Sequence, residues 1–108
     1  MSEPVILINV FTLAPDKQNE VIELLTQATQ DHVRHAKGFM SAKLHRSLDG
    51  TKVTMYAQWQ SIEAYQAMRN DPAPLPFLQR ALELAEFDPG MYELVETFTQ
   101  GAGDTAGT

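Results

Sequence analysis

With 108 residues, 44% of them apolar and 20% charged, the chain suits one globular domain rather than a disordered segment. A net charge of −6 and eight dispersed Lys and Arg residues argue against nucleic acid or anionic lipid as partners. No cysteine is present, which excludes disulfides, thiolate nucleophiles and Cys-based metal centres.

The first four residues, Met-Ser-Glu-Pro, carry no signal-peptide pattern. The apolar run Val5 to Val10 is too short to span a bilayer, so the expectation is a cytoplasmic protein with no membrane partner. Val5 to Leu13 reads as a central strand buried on both faces, interrupted only by Asn9. Leu7, Asn9 and Phe11 share one face; Ile6, Ile8 and Val10 share the other. Ala14-Pro15-Asp16 starts a helix whose stripe includes Val21, Leu24, Leu25, Ala28 and His32, and Lys37-Gly38 is expected to close it.

Phe39 to Ser47 reads as a second strand and Leu48-Asp49-Gly50-Thr51 as a hairpin turn. In the third strand Val53, Met55, Ala57 and Trp59 alternate onto one face. Ser61 then caps a second helix that carries Tyr65 about one turn in, with Glu63 favoured by the helix dipole. Pro72, Pro74 and Pro76 break that helix into a loop or lid, and helical character resumes over Phe77 to Ala85 with Arg80 on it. Asp88-Pro89-Gly90 reads as a turn and Met91 to Phe98 as the last strand. The expected domain spans residues 1–99, followed by a flexible tail over 100–108.

Strand, helix, strand, strand, helix, strand is the order of an α+β ferredoxin-like domain, a four-stranded antiparallel sheet with helices on one face. The opposite face carries Ile6, Ile8 and Val10, so a second copy packing sheet on sheet is the expected cover. A homodimer is therefore expected.

Asn9 is an amide in an apolar strand, bonded either to neighbouring backbone or water, or to a ligand in a cavity under the sheet. Trp59 and Tyr65 are large aromatics with a polar handle; a single tryptophan usually packs in a core, and both side chains could also wall a pocket. His32 and His35 have metal-compatible spacing, but no third ligand accompanies them, and no metal site is expected. No phosphate loop, Gly-x-Ser-x-Gly elbow or His-Glu-x-x-His helix is present.

Gly38-Phe39-Met40-Ser41-Ala42, His45-Arg46-Ser47 through Asp49-Gly50-Thr51, and Tyr56-Ala57-Gln58-Trp59 through Ala64-Tyr65 resemble the antibiotic biosynthesis monooxygenase superfamily of dimeric α+β barrels, over roughly residues 5–98. The resemblance implies a cofactor-free oxygenase that turns a phenol, anthrone or quinol into a quinone with O₂. It further implies catalytic roles for Asn9, Trp59 and Tyr65, with the Asn9 amide and the Trp59 indole donating hydrogen bonds to a substrate oxyanion. Leu7, Phe11 and Met55 would form the apolar wall, and His32 and Arg80 are further candidate substrate contacts. Family oxygenases place an asparagine four residues before the tryptophan; here that position is Met55, a thioether that donates no hydrogen bond. The haem-degrading branch carries a proximal histidine after the second helix, and residues 69–90 have none. Two other readings stay open: a non-catalytic dimer module that binds a small aromatic, and a purely structural dimer whose pocket is filled by its own side chains.

Overall fold

The structure is a computed structural model that describes residues 4–101. It contains β1 (Val5–Leu13), α1 (Gln18–Asp31), β2 (Phe39–Arg46), β3 (Lys52–Trp59), α2 (Ile62–Arg69), α3 (Leu75–Leu84) and β4 (Ala85–Tyr92). The strands form one antiparallel sheet in the order β2-β3-β1-β4. This is the α+β ferredoxin-like fold, with the second helix divided into α2 and α3 where the prolines forbid continuous helix.

Alternation fixes which side of the sheet each residue serves. Leu7, Phe11 and Leu13 of β1 are buried, as are Val53, Ala57 and Trp59 of β3. Their register pairs, Leu7 with Ala57 and Phe11 with Val53, put both sets on the face covered by the helices. There Phe11, Leu13 and Val53 pack with Val21 and Leu25 of α1 and Ala81 of α3. A second cluster gathers Leu7, Ala57 and Trp59 with Val33, Phe39 and Tyr65.

Three boundaries differ from the sequence reading. First, α1 ends at Asp31 rather than running on to Lys37, and a 3₁₀ turn follows at Val33–His35. The departure lets Val33 and Ala36 fold back onto the Trp59 cluster, burial that continued helix would forfeit. Second, the last strand is Ala85–Tyr92, not Met91 to Phe98, and Asp88-Pro89-Gly90 lies within it instead of forming a turn. Pro89 is tolerated because β4 is an edge strand, where a missing N–H need not break a ladder on both sides. Residues 93–101 carry no regular structure, leaving Leu94, Val95 and Phe98 exposed. Third, α3 starts at Leu75, two residues before the expected point, with Pro76 accommodated in its first turn. Most of the expected tail, residues 102–108, lies outside the described residues.

Two local devices hold the site's frame. Gly38 has φ +89°, and a Cβ there would collide with the Cβ of Ala64 on α2. Its carbonyl accepts a 2.8 Å hydrogen bond from the Gln60 N–H, tying the start of β2 to the β3–α2 corner. In the β2–β3 hairpin, Asp49 accepts hydrogen bonds from the Thr51 hydroxyl at 2.7 Å, the Ser47 hydroxyl at 2.8 Å and the Thr51 N–H at 3.0 Å. Those donors hold its carboxyl near pKa 2, the Thr51 hydroxyl contributing most.

Candidate active site

The two core clusters do not meet. Leu7 belongs to one and Phe11 to the other, and Asn9 stands between them on the same face of β1. Between the clusters lies a cavity of about 230 Å³, predominantly apolar. A cavity of about 150 Å³ accepts one benzene ring, so this one has room for a larger aromatic.

Leu7, Asn9 and Phe11 form its floor together with Met55, Ala57 and Trp59 of β3. The register sets Asn9 directly opposite Met55 on one side and Pro89 on the other. The Oδ1 atom of Asn9 is shielded from solvent and has no hydrogen-bond partner, the one such side-chain atom among the described residues. An amide left in this state costs about 1–3 kcal/mol. Its neighbours explain the orphaning: a thioether, a residue without N–H and two hydrocarbons offer it no side-chain donor.

Trp59 is 1% exposed and closes one end. Its ring meets Phe39 edge-on at 5.3 Å and 82°, and Tyr65 at 5.8 Å and 66°, so three aromatics lock each other's orientation. Tyr65 is placed by the cap of α2, where the Ser61 hydroxyl accepts a 3.1 Å hydrogen bond from the Ala64 N–H. The Tyr65 hydroxyl in turn accepts a hydrogen bond from Arg69 Nη1 at 3.1 Å, and the guanidinium lies 5.8 Å from the ring centroid. The roof comes from α1 through Leu25, Ala28 and Thr29, and from α3 through Leu75, Leu78 and Gln79. Arg69, Leu75, Leu82 and Phe87 are both lining and exposed, so the cavity opens toward solvent along the end of α2, α3 and β4.

Asn9, Trp59, Tyr65, Leu7, Phe11 and Met55 are thus brought to one cavity. Two candidates are not. Arg80 faces away from it and bonds Glu20 of α1 at 3.2 Å and Glu83 at 3.0 Å, contacts that raise its pKa, the Glu83 bond most. It lies beside Ala81, the fully buried position of α3, and therefore on the solvent side of that helix. His32 is missing from the cavity wall because α1 stops one residue before it; its ring packs instead at 5.9 Å from Phe77. The His32/His35 spacing likewise loses its helical meaning, and His35 Nε2 lies 3.1 Å from the Gln30 carbonyl. Among the described residues no group of three or more His, Asp or Glu could hold a metal ion. Arg69 lines the cavity and was not singled out in the sequence. Its i, i+4 spacing from Tyr65 was the available signal.

A single fold, an apolar cavity under its sheet and an aromatic wall built at the β3–α2 corner define a class. Residues 4–80 match the antibiotic biosynthesis monooxygenase family, and the chain belongs to it. It is an enzyme, an oxidoreductase, like one relative that it matches in sequence. That relative is the tetracenomycin-F1 monooxygenase of Streptomyces glaucescens, 40% identical over 92 residues that cover 85% of this chain and 82% of that protein. Among solved structures, the ActVA-Orf6 monooxygenase of Streptomyces coelicolor in complex with nanaomycin D superposes with a TM-score of 0.79 at 27% identity, covering 92% of this chain and 94% of that one. SnoaB, a cofactor-independent oxygenase from Streptomyces nogalater, superposes with a TM-score of 0.77 at 22% identity over 92% of this chain and all of the other, a likeness of fold. Among the described residues no helix is long and apolar enough to cross a membrane.

Proposed function

We propose that this protein is a cofactor-independent monooxygenase that oxidises a phenolic fused-ring aromatic, an anthrone or a related phenol or quinol, to a quinone with O₂. The observation that carries the reading is the unpartnered Asn9 amide in the wall of an apolar cavity large enough for an aromatic. Rotating that amide about its terminal torsion presents either its oxygen or its NH₂ to the cavity. The oxygen accepts from a neutral phenol; the NH₂ donates to the phenolate. The empty space also argues against a pocket filled by the protein's own side chains.

For an anthrone the chemistry balances without an external reductant. The substrate loses a proton to give a delocalised anion, which passes one electron to O₂, and the two radicals combine to a peroxide at the ring carbon. Loss of water from the peroxide leaves a carbonyl: a CH₂ has lost four electrons, and O₂ has supplied one oxygen to the product and one to water. The protein's part is to hold the ring flat, exclude water and stabilise the oxyanion, with Asn9 and the Trp59 indole as donors and Tyr65 positioning the ring. Tetracenomycin-F1 monooxygenase and the ActVA-Orf6 enzyme support this class of chemistry by their relationship to the chain.

A second copy is the proposed partner, covering the sheet face opposite the helices. Ile8 and Val10 are only half-buried there in the single chain, and the irregular segment after β4 holds out Leu94, Val95 and Phe98. Those side chains are the kind that a homodimer interface removes from water.

The test is O₂ uptake by chelator-treated protein offered anthrones and phenols, corrected for autoxidation. Uptake that saturates with substrate and falls in Trp59→Phe is expected. The competing reading, a binder without turnover, draws on Met55, which puts a thioether where a second amide would face Asn9. It predicts quenching of Trp59 fluorescence by quinones with no O₂ consumed.

A further inference from the structure

Among the described residues Arg69 is the only charged one on the cavity wall, in a chain whose net charge is −6. It ends α2 and is exposed, so it sits at the solvent edge of a cavity whose floor holds the buried Leu7, Phe11, Ala57 and Trp59. Its guanidinium is held by the Tyr65 hydroxyl and ring rather than by an acid, and among the described residues no carboxylate reaches it within salt-bridge distance. Arg80 shows the contrast: it too is exposed, and two glutamates occupy it. Among the described residues no Asp or Glu lines the cavity. A guanidinium presents five N–H donors in a planar fork, and one bond to Tyr65 leaves donors free.

We propose that Arg69 forms an anion subsite at the cavity mouth, selecting a flat aromatic that carries a carboxylate on its solvent-facing edge. The inference rests on the cavity being the substrate site. Tyr65 fixes the guanidinium beside the aromatic wall, so a ring seated against Trp59 and Tyr65 places an edge substituent near the fork. The carboxylate stays partly hydrated there, which avoids the cost of burying a charge and limits the gain to that of an exposed pair. A preference of about two- to fivefold over the uncharged analogue is expected, shrinking as salt rises.

The experiment measures binding alone, so that it stands apart from turnover. Anthraquinone-2-carboxylate and anthraquinone-2-carboxamide are titrated into the full-length protein, with quenching of Trp59, the single tryptophan, as the readout. Wild type should bind the carboxylate about two- to fivefold more tightly. Arg69→Gln should bring the two affinities together while the carboxamide affinity stays within about twofold, and Arg69→Lys should restore part of the preference. Equal affinities in wild type, an unchanged ratio in Arg69→Gln, or equal weakening of both probes overturns the subsite; the last would make Arg69 only a prop for Tyr65. Quenching by neither probe overturns the cavity assignment as well. A carboxylate preference in protein that consumes no O₂ upholds the subsite and refutes the oxygenase alone.

Discussion

Replacing Asn9 with leucine should stabilise the protein while slowing its reaction. The two side chains have the same branched shape at Cγ, so the substitution chiefly removes polarity. Asn9 Oδ1 is shielded and unpartnered, a state worth about 1–3 kcal/mol against the fold. Leucine would instead join Leu7 and Phe11 on the same strand face, facing Met55 across the sheet, and extend apolar contact between the two core clusters. Imperfect fit offsets part of that gain, leaving about 1 kcal/mol net, or a Tm increase of about 4–8 °C for a domain near this size. Thermal unfolding of both proteins at one concentration measures it, since dimerisation would make Tm concentration-dependent. Turnover should fall by about tenfold or more, the loss of one hydrogen bond to a developing charge. A fall in Tm would show that the amide is bonded in the folded protein and refute the orphan argument. Unchanged turnover would refute the catalytic role.

Other substitutions probe the frame and the partner. Gly38→Ala should cost at least about 2 kcal/mol, because a left-handed φ alone penalises an L-residue by about 1–2 and the new methyl meets Ala64; chemical denaturation checks it, and a near-neutral result would contradict the packing described. Asp49 has its carboxyl near pKa 2, below the unfolded value, so its contribution is fully present above about pH 4 and is lost as pH falls toward 2. Asp49→Asn should therefore be less stable at neutral pH and show a flatter acid limb in urea melts; parallel acid limbs would refute this. Met55→Asn places a second amide opposite Asn9 and should raise turnover by up to about tenfold at some cost in Tm, with no gain counting against oxyanion stabilisation at that position. Ile8→Lys, on the sheet face opposite the helices, should give a monomer in sedimentation velocity if a second copy packs there, and an unchanged species would remove that interface.

Much of the frame was legible because alternation is a local signal. Every residue assigned to the floor of the cavity follows from period two in β1 and β3, and the antiparallel register then sets Asn9 against Met55. The same period runs through β4, where Ala85, Phe87, Pro89 and Met91 alternate with Glu86, Asp88, Gly90 and Tyr92, but Asp-Pro-Gly is a stronger local sign of a turn. Only the strand order, which puts β4 at the edge, makes that proline acceptable. The end of α1 was not legible either, since no glycine or proline marks Asp31 and the cause is burial of Val33 and Ala36 against a distant cluster. Arg80 and Arg69 show the same limit at the site. Which arginine meets the cavity depends on how α2 and α3 divide at the prolines, and that division turned Arg80 toward Glu20 and left Arg69 at the mouth.

The central claim is that one atom of O₂ enters the substrate and the other leaves as water, with this chain as the sole catalyst. Turnover of an anthrone under ¹⁸O₂, followed by mass spectrometry of the quinone, tests it most directly. One ¹⁸O per quinone is expected, formed at a rate proportional to protein and reduced in Trp59→Phe. Quinone formed no faster than without protein, or formed without ¹⁸O, would contradict it.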